Sequence, residues 1–399
     1  MTTAAGVALS TQADTAAAAR EAAAGALARA GGGRVDWGVV FATVSHRPHF
    51  AAMLAEVQAT LGTDLISGCS AWGVLTGSEE VEGRPAIAVL AVRSSRLAAQ
   101  TFYIPAGDSQ ELGVAREIAR QIGPPLEEGL LALWPDPFTV RPDELVRAFG
   151  RVLPGVEAVG AAASADPSGD RTFLFHGRNV AAGGLAALRL SGSLRRTVGI
   201  TQGCQPLGDP CRVTKGDGNV ILELDGRPAL EVLRQRLPPS LRDSLDRLGA
   251  HLFVGLPPDP DQERIEPGEY LVRTLIGGDS QRGAVVVGGA VREGEPVLLV
   301  LREGQAARED LKQMLARLGR AAAATPYHFG LYFNCAARGT GLYGLPGIDT
   351  AYISGTFGDL PIIGFFGNAE IAPLRGVNRL FTYTGVLVLI GEEKEGPGA

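Results

Sequence analysis

Short apolar runs alternate along this chain with stretches in which apolar side chains recur at helical spacing. Val39–Val44 is an apolar run, and the apolar residues of Pro48–Leu61 fall on one helical face. A second run, Leu65–Gly68, ends in glycine, and a polar turn then leads to the apolar run Ala86–Val92. The pattern predicts a strand, a helix, a glycine-terminated strand and a further strand.

The same succession returns twice. The predicted elements of the two further copies, with their accompanying strands and one intervening helix, are Leu112–Ile122 (helix), Leu130–Trp134, Pro142–Val152 (helix), Val156–Gly160, Thr172–Phe175, Gly184–Leu190, His328–Phe333, Thr350–Phe357 (helix), Pro361–Gly364 and Leu380–Ile390. A strand–helix–strand–hairpin unit repeated about three times predicts an α/β fold. The hairpins make the sheets mixed, because hairpin neighbours are antiparallel.

The segments outside the repeats also contain sequence patterns typical of helices and strands. They predict a helix over Ala16–Ala30, a helix from near Pro228 capped by Asp225, a capping box at Ser240 and Asp243, strands over Tyr270–Ile276, Ala284–Val287 and Pro296–Leu301, and a helix over Leu311–Leu318 closed by Gly319. A Gly- and Pro-rich connection at Gly203–Asp217 gives the main boundary.

We therefore expect mixed sheets built from repeated units, in two halves packed together with helices covering the outer faces. The expected domains are an Ala-rich helix or extension (1–33), an N-terminal domain (34–200), a connector with helices (201–250), a C-terminal domain (251–392) and a disordered tail (393–399).

Composition narrows the class of protein. Of 399 residues, 45% are apolar, and 37 Lys and Arg against 43 Asp and Glu give a net charge of −6. So much apolar surface excludes disorder for most of the chain, and the acidic balance argues against a nucleic-acid partner. The sequence lacks an apolar run long enough for a membrane helix and a typical secretion signal, so we expect a cytoplasmic protein without a membrane partner.

Familiar catalytic and cofactor motifs are missing from the sequence. There is no P-loop, no dinucleotide-binding glycine motif and no zinc-protease motif, and the five histidines never stand at i, i+4. The cysteines Cys69, Cys204, Cys211 and Cys335 are too scattered for a disulfide framework or a zinc site. We expect no metal, no cofactor and no catalytic residues, hence a protein that is not an enzyme.

Candidate chemistry lies after the third copy's first strand. Asn334, Cys335 and Arg338 place an amide, a thiol and a guanidinium before a Gly-rich turn, and ligands of open α/β sheets bind beyond strand carboxyl ends. Arginine presents a fork of donors suited to a carboxylate. Glu370 is able to accept from an ammonium group. An Arg and a Glu facing one cavity match a zwitterion such as an amino acid.

Each of these residues also has a plainer interpretation. Arg338 and Glu370 are able to pair with each other as a structural bridge, or to face solvent. Cys335 is a candidate nucleophile only if a base lies within hydrogen-bond reach, and small thiols packed under turns are commoner.

The end of the first copy offers further candidates. Cys69 and Ser70 follow Gly68, but the sequence there lacks the nucleophile-elbow pattern. Trp72 and Phe365 are candidates for an apolar wall of the same pocket, although large aromatics more often fill a core.

These motifs resemble those of the FIST domains. The N-terminal half is similar to FIST N in Leu65–Ser70 and Gly160–Ser164, and the middle is similar to the family's connector from Gly203 to Leu230. The C-terminal half is similar to FIST C in Asn334–Gly339 and Pro361–Pro373, with Ala369 where the family commonly has glycine. The resemblance covers about residues 36–391.

The resemblance implies a bacterial sensory module that binds a small ligand, amino acids being the class usually proposed for the family. We expect a stand-alone sensor that binds an amino acid or a small carboxylate in a crevice between the halves and signals to a partner protein. Two alternatives stay open: an enzyme that uses Cys335 as nucleophile or Arg338 as anion clamp, and a scaffold with a vestigial pocket. For the sensor, we expect Arg338→Ala to weaken ligand binding with little loss of stability.

Overall fold

The computed structural model describes residues 3–105, 111–123, 129–166, 169–239, 251–259, 261–265 and 268–393. The helices are α1 Thr15–Arg29, α2 Phe50–Leu61, α3 Glu111–Ile122, α4 Pro142–Val152, α5 Ala229–Arg236, α6 Gly304–Ala324, α7 Thr340–Tyr343 and α8 Ile348–Phe357, with a 3-10 helix at Val44–His49. The predicted bounds of α4 are the observed ones. The predicted ends of α1, α2, α3 and α8 lie within two residues of the observed ends.

The strands alternate with these helices in the order that the repeats predict. The first group is β1 Ala4–Ser10, β2 Trp37–Thr43, β3 Ile66–Ala71, β4 Gly73–Thr76, β5 Glu80–Glu82, β6 Ile87–Arg93, β7 Leu97–Ile104, β8 Leu130–Pro135, β9 Glu157–Ala161, β10 Leu174–His176, β11 Asn179–Ala181, β12 Leu185–Gly192 and β13 Leu194–Gln202. The second group is β14 Cys204–Pro206, β15 Cys211–Asp217, β16 Val220–Leu224, β17 Arg227–Pro228, β18 Leu252–Leu256, β19 Leu271–Asp279, β20 Ala284–Val287, β21 Pro296–Arg302, β22 Phe329–Cys335, β23 Ile362–Gly367, β24 Glu370–Leu374, β25 Val377–Phe381 and β26 Thr384–Glu392.

The chain divides into two compact units. The larger unit takes Met1–Thr201, Leu311–Leu380 and Thr384–Ala399, and the smaller unit takes Gln202–Asp310 and Phe381–Tyr383. This division groups residues differently from the domains expected from the sequence, because most of the segment after residue 310 joins the N-terminal half in one unit.

Three mixed sheets form the larger unit and confirm the predicted fold class. Their strand orders are β1-β6-β2-β3-β10-β11, β25-β24-β9-β8-β12-β7 and β13-β26-β22-β23-β4-β5. Each sheet has one parallel pair at its centre, namely β2 with β3, β8 with β9, and β22 with β23. These pairs are the strand–helix–strand parts of the three predicted repeats.

The three repeats exchange their hairpins. Strand β4, from the first repeat, pairs with β23 of the third. Strand β24, from the third, pairs with β9 of the second, and β10, from the second, pairs with β3 of the first. The exchange closes a ring of three sheets, which explains why residues far apart in sequence form one compact unit.

Glycines at one equivalent position hold each parallel pair together. Gly68, Gly160 and Gly364 lie within β3, β9 and β23, so the prediction that these strands end at their glycines is wrong. A Cβ atom on Gly68 would lie 1.8 Å from the carbonyl oxygen of Val40, its register partner. The corresponding distances are 2.1 Å at Gly160 and 1.9 Å at Gly364. The glycine is needed for this close approach of parallel backbones rather than for a turn.

The first thirty residues, expected as an Ala-rich helix or extension, contain a strand as well as the helix. Strand β1 pairs antiparallel with β6, and α1 packs against both. The alanines of α1 are explained by this contact: a Cβ on Gly6 of β1 would lie 2.2 Å from the carbonyl oxygen of Ala26. Asp14 caps the helix by accepting from the backbone N–H of Ala17 at 2.7 Å.

In the smaller unit, the strands close into an antiparallel barrel. The sheet runs β21-β15-β16-β20-β19-β18, and β18 also pairs with β21. Apolar side chains of these strands and of α5 make up its core. The sequence predicts strands β19, β20 and β21 but gives no sign of closure.

Two predicted helix boundaries are wrong. Asp225 does not cap α5, because it adopts φ +51° and accepts instead from the backbone N–H of Arg212 at 2.8 Å. Helix α6 begins seven residues before Leu311 and runs through Gly319 to Ala324. The capping box at Ser240 and Asp243 and the tail beyond Glu393 lie outside the described residues.

Candidate functional site

Four of the eight predicted ligand-binding residues meet in the larger unit. Asn334 and Cys335 end β22, Arg338 follows in the turn, and Glu370 begins β24. All four are buried, with side chains or whole residues between 0% and 5% exposed. We call the group formed by these residues and the polar residues around them the arginine cluster.

Arg338 is held by an aspartate that the sequence interpretation missed. Its Nε donates to Oδ2 of Asp349 at 3.2 Å, and its Nη2 donates to Oδ1 at 3.2 Å. Both side chains are buried, at 1% and 0% exposed. The structural bridge considered for Arg338 therefore exists, but its partner is Asp349 rather than Glu370, and Arg338 does not face solvent.

Three neutral side chains complete the surroundings of Asp349. The hydroxyl of Tyr332 donates to Oδ2 at 2.8 Å, and the amide of Asn334 donates to the same oxygen at 3.0 Å. The hydroxyl of Tyr343 donates to Oδ1 at 2.7 Å and accepts from Nη2 of Arg338 at 2.7 Å. Burial raises the pKa of Tyr332 and of Tyr343, so both hydroxyls keep their protons.

Arg338 stays charged in this environment. Burial alone lowers the pKa of its guanidinium, but the carboxylate of Asp349 and the neighbouring tyrosines outweigh that effect and raise it. The ion pair and its hydrogen bonds together satisfy the rule that buried charges are paired.

Glu370 is a further buried carboxyl group of the cluster. Its Oε2 accepts from the backbone N–H of Thr384 at 3.4 Å, and the thiol of Cys335 hydrogen-bonds to its carboxyl group. Burial raises the pKa of Glu370 well above its ordinary value, and nearby Arg338 opposes that rise only in part. The raised pKa favours the protonated, neutral form of this carboxyl group.

Three buried polar atoms of this region have no hydrogen-bond partner among the residues that the structure describes. They are Nη1 of Arg338, Oε1 of Glu370 and Oγ1 of Thr201. Thr201 lies near Tyr332, since a Cβ on Gly385 would lie 2.9 Å from the Thr201 methyl and 2.4 Å from the Tyr332 hydroxyl. Unsatisfied buried polar groups are costly, and a ligand bound in this region would supply the missing hydrogen bonds.

The hairpin β4–β5 from the first repeat anchors the outer side of the cluster. Glu80 accepts from the backbone N–H groups of Gly347 and Thr350, at 3.0 and 2.9 Å, at the start of α8. Glu82 accepts from the backbone N–H and hydroxyl of Thr340, at 3.0 and 2.9 Å. Burial, with the nearby Asp349, raises the pKa of Glu80 from 4.5 to about 7.

The turn between Arg338 and α8 depends on glycine. Gly339 has φ +56° and ψ −142°, a conformation open almost only to glycine, and a Cβ there would lie 2.6 Å from Oε1 of Glu82. Ala369, in place of the family's usual glycine, is not among the residues with positive φ. The alanine is therefore compatible with the position of Glu370.

The other four predicted residues lie outside the arginine cluster. Cys69 is fully buried, and burial raises the pKa of its thiol. Ser70 donates to the carbonyl of Ser164 at 3.3 Å and accepts from the N–H of Phe173 at 2.9 Å. Ser70 therefore makes hydrogen bonds to the backbone of neighbouring segments, and Cys69 is packed in the interior.

The two predicted aromatics have packing partners. Phe365 is fully buried, with ring centroids 4.5 Å from Phe41 and 5.9 Å from Phe333. Trp72 is half-buried against Gly83, where a Cβ would lie 3.0 Å from its indole ring. Phe365 therefore lies in the core, as large aromatic side chains more often do.

Asp349, Tyr343, Thr201 and Glu80 are absent from the sequence-based candidates. Only Asp349 carries a signal that could have identified it, because it is the one charged residue of the otherwise uncharged α8. Tyr343 and Thr201 look like ordinary core or turn residues in the sequence. Glu80 reaches the cluster only through the exchange of hairpins, which no local pattern reveals.

The described residues contain no other arrangement that points to chemistry as clearly. No group of three or more His, Cys, Asp or Glu within them could hold a metal ion. A cleft of about 440 Å³ lies elsewhere in the larger unit, and its lining includes none of the predicted site residues. Across the described ranges, every helix is too short or too polar to cross a membrane.

Mycobacterial proteins match this chain over nearly all of its residues. It is 33% identical over 384 residues to the uncharacterized protein Rv0628c of Mycobacterium tuberculosis, covering 96% of this chain and 98% of the relative. It is 31% identical over 395 residues to the uncharacterized protein Mb0898c of Mycobacterium bovis, covering 98% and 99%. Among solved structures, a cyanuric acid hydrolase from A. caulinodans aligns over 98% of this chain and all of the other, with a TM-score of 0.35 and 12% identity. That likeness is too weak to support an argument.

Family models give the decisive match. Residues 36–227 match the FIST N domain and residues 229–373 match the FIST C domain, which together span nearly the whole chain. Residues of both matches contribute to the arginine cluster: Glu80 and Thr201 come from the first, and Arg338, Asp349 and Glu370 from the second. The chain belongs to the FIST family of sensory, small-ligand-binding modules.

Proposed function

We propose that this FIST protein binds a small zwitterion, an amino acid or a closely related small carboxylate, at the arginine cluster and reports its presence to a partner protein. The observation that carries the proposal is the pair of unpartnered atoms, Nη1 of Arg338 and Oε1 of Glu370, on buried side chains of opposite ionised charge. A donor and a carboxyl oxygen in one buried region complement a ligand that carries both charges.

The ligand's carboxylate would accept from Nη1 of Arg338. A guanidinium binds carboxylates well, because its donors are planar and permanently charged. Two of its nitrogens already donate to Asp349, which leaves one nitrogen for the ligand. The hydroxyl of Thr201 offers a further hydrogen bond.

The ligand's ammonium group would bind at Glu370. Because Asp349 already balances the charge of Arg338, a simple anion gains little net electrostatic attraction here. An ammonium group beside Glu370 would favour the ionised carboxylate and lower its pKa again. Binding would thus favour release of a proton from Glu370, and a zwitterion is preferred over a simple carboxylate.

Ligand contacts at Arg338 could change the surrounding turn. Tyr343 bridges Arg338 and Asp349, and Glu80 and Glu82 attach the hairpin β4–β5 to the same turn and to α8. A ligand shifts this region only if it binds two conformations with different affinity. The exposed residues Thr340 and Leu345 then present the change at the surface, where a partner protein could read it.

A scaffold with a vestigial pocket is the second candidate. It is favoured by one observation: Asp349 accepts five hydrogen bonds from its neighbours, so most of the cluster is satisfied without a ligand. This interpretation leaves the unpartnered atoms of Arg338 and Glu370 unexplained.

A thermal-shift screen tests the proposal. The panel contains the protein amino acids, simple alkanoates that lack the ammonium group and simple alkylamines that lack the carboxylate. We expect stabilisation by a subset of amino acids and little response to the alkanoates and alkylamines. A flat response across the whole panel would favour the scaffold.

A further inference from the structure

Strand β1 forms one edge of its sheet. It pairs on one side with β6, and its outer edge pairs with no strand in the described ranges. The carbonyl of Val92 in β6 accepts from the backbone N–H of Asp36, on the β2 side of β6. Because bonding alternates along an antiparallel strand, Val92 does not bond its register partner Ala5. The backbone groups of Ala5, Val7 and Leu9 therefore face outward.

This open edge lines the cleft of about 440 Å³ in the larger unit, which we call the β1 cleft. Ala5, Val7 and Leu9 contribute to its lining, and all three are half-buried. The facing walls come from the β4–β5 turn, 76–79, and from the segment 358–361 after α8. The volume lies within the roughly 300–1,000 Å³ of ordinary ligand clefts.

Arg29 covers the middle of the open edge. Its Nη1 donates to the carbonyl of Val7 at 2.6 Å. Charged side chains protect open sheet edges from unspecific pairing. The outward-facing backbone groups of Ala5 and Leu9 have no hydrogen-bond partner in the described part of the chain. An added strand would therefore find free donors and acceptors on both sides of Val7.

Two carboxylates on the facing walls favour a basic occupant. Glu79 lies in the β4–β5 turn and Asp359 follows α8, and both side chains belong to exposed residues that line the cleft. Neither carboxylate forms an ion pair with any residue that the structure describes. A Lys or Arg side chain on an added strand would supply the complementary charge.

We propose that the β1 cleft binds an extended, basic segment of a partner protein, which adds to β1 as a further strand. Both facing walls connect to the arginine cluster. Glu80, directly after the turn 76–79, accepts from backbone N–H groups at the start of α8, and the segment 358–361 follows the end of that helix. That this partner receives the ligand signal rests on the proposed function, whereas the docking itself does not.

Immobilised peptides of seven residues, the length of β1, are the probes for the full chain. Threonine alternates with variable residues, and each peptide is made with Lys, Glu or Ala at its centre. We expect binding to a subset of the Lys peptides, each bound at least ~10-fold more tightly than its Glu counterpart. No binding to any peptide, or equal binding of the Lys and Glu versions, would overturn the proposal.

Backbone N-methylation of the tightest peptide tests strand addition in the wild-type protein. An added strand faces β1 with alternate amides only. Methylating that set should weaken binding at least ~10-fold, because it removes the hydrogen bonds to β1, and methylating the other set should have little effect. Equal effects of the two sets would contradict strand addition.

Variants of the protein locate the binding site. Val7→Pro removes an outward-facing N–H at an edge position that tolerates proline, and it should weaken binding at least ~10-fold, whereas Val7→Thr should not. Glu79→Lys should reduce the preference for Lys peptides. Glu263→Lys makes the same charge change at an exposed residue of the smaller unit and should not. Unchanged binding in a folded Val7→Pro protein, or an unchanged preference in Glu79→Lys, would place the peptide elsewhere and overturn the proposal.

Two further measurements separate the alternatives. A dimer in solution that dissociates in Val7→Pro would assign the edge to a second copy of this chain and overturn the proposal. Peptide binding together with a flat thermal-shift screen would remove the amino-acid sensor and keep the docking site. A positive screen without peptide binding would keep the sensor and remove the docking site.

Discussion

Arg338 and Asp349 form a buried two-point ion pair, with Nε and Nη2 each 3.2 Å from a carboxylate oxygen. The pair joins the turn after β22 to the first turn of α8. It neutralises the guanidinium while leaving Nη1 without a partner among the described residues. One side chain therefore serves both the stability of the turn and the proposed ligand site.

Arg338→Ala should be strongly destabilising. This prediction replaces the sequence-based expectation that the substitution costs little stability. Removing one partner leaves the carboxylate of Asp349 buried without its cation, and such changes cost about 3–5 kcal/mol. Chemical denaturation measures the loss. Arg147→Ala is the control, because the pair of Arg147 with Asp143 is largely exposed and should contribute less than about 1 kcal/mol. Equal, small losses in both variants would contradict this view of Arg338.

Tyr343→Phe should lower the free energy of unfolding by about 1–2 kcal/mol. The change removes a hydroxyl that donates to Asp349 and accepts from Arg338, and it leaves both buried groups short of a partner. Tyr352 is half-buried on the same helix as Asp349, so Tyr352→Phe is the matched control. It should change the free energy of unfolding by only a few tenths of the change expected for Tyr343→Phe. Indistinguishable denaturation midpoints would show that the hydroxyl bridge contributes nothing.

Glu80 should make stability depend on pH. Its pKa is 4.5 in the unfolded chain and about 7 in the folded protein, so the folded state retains a proton that the unfolded state releases. The contribution of Glu80 to stability is fully present below pH 4.5, declines as pH rises to about 7, and is then constant. The total decline is about 3 kcal/mol.

Thermal denaturation across this pH range, in the wild type and in Glu80→Gln, isolates the effect. The wild type should lose stability with rising pH relative to the variant. Glu79→Gln removes an exposed neighbouring carboxylate and should follow the wild-type pH dependence. If Glu80→Gln also follows it, Glu80 does not titrate as inferred.

Gly364→Ala should be severely destabilising. A Cβ there would lie 1.9 Å from the carbonyl oxygen of Tyr332, so the parallel strands β22 and β23 must move apart at a cost of about 3 kcal/mol or more. Gly355→Ala, within α8 and with nothing near its added methyl, should instead stabilise by about 0.5–1 kcal/mol. A tolerated alanine at Gly364 would refute the close approach of the strands.

Local patterns in the sequence predicted the repeats but not their assembly. Helix α4 follows from an uninterrupted amphipathic run, and its observed bounds match the prediction. The pairing of β4 with β23 does not follow, because short buried strands carry no label for a distant partner. The closure of the barrel in the smaller unit cannot be predicted from the sequence for the same reason.

The candidate site was predictable to the extent that its residues share one strand end. Asn334, Cys335 and Arg338 are close in sequence, so the end of β22 brings them together. The sequence marks Asp349 as a candidate, as the one charged residue of α8, but it does not decide whether Asp349 or Glu370 pairs with Arg338, since both are acidic and both follow Arg338 in the chain. Their roles are decided by which one reaches two nitrogens of the guanidinium.

Calorimetric titration of wild-type protein and Glu370→Gln with the amino acid that gives the largest thermal shift tests the central claim most directly. We expect binding to the wild type with release of a proton, seen as heat that depends on the buffer's ionisation enthalpy. Affinity should fall at least ~10-fold in Glu370→Gln, a loss of about 1.4 kcal/mol, and the proton release should vanish. Equal affinity in both proteins, without proton release in either, would contradict a ligand held between Arg338 and Glu370.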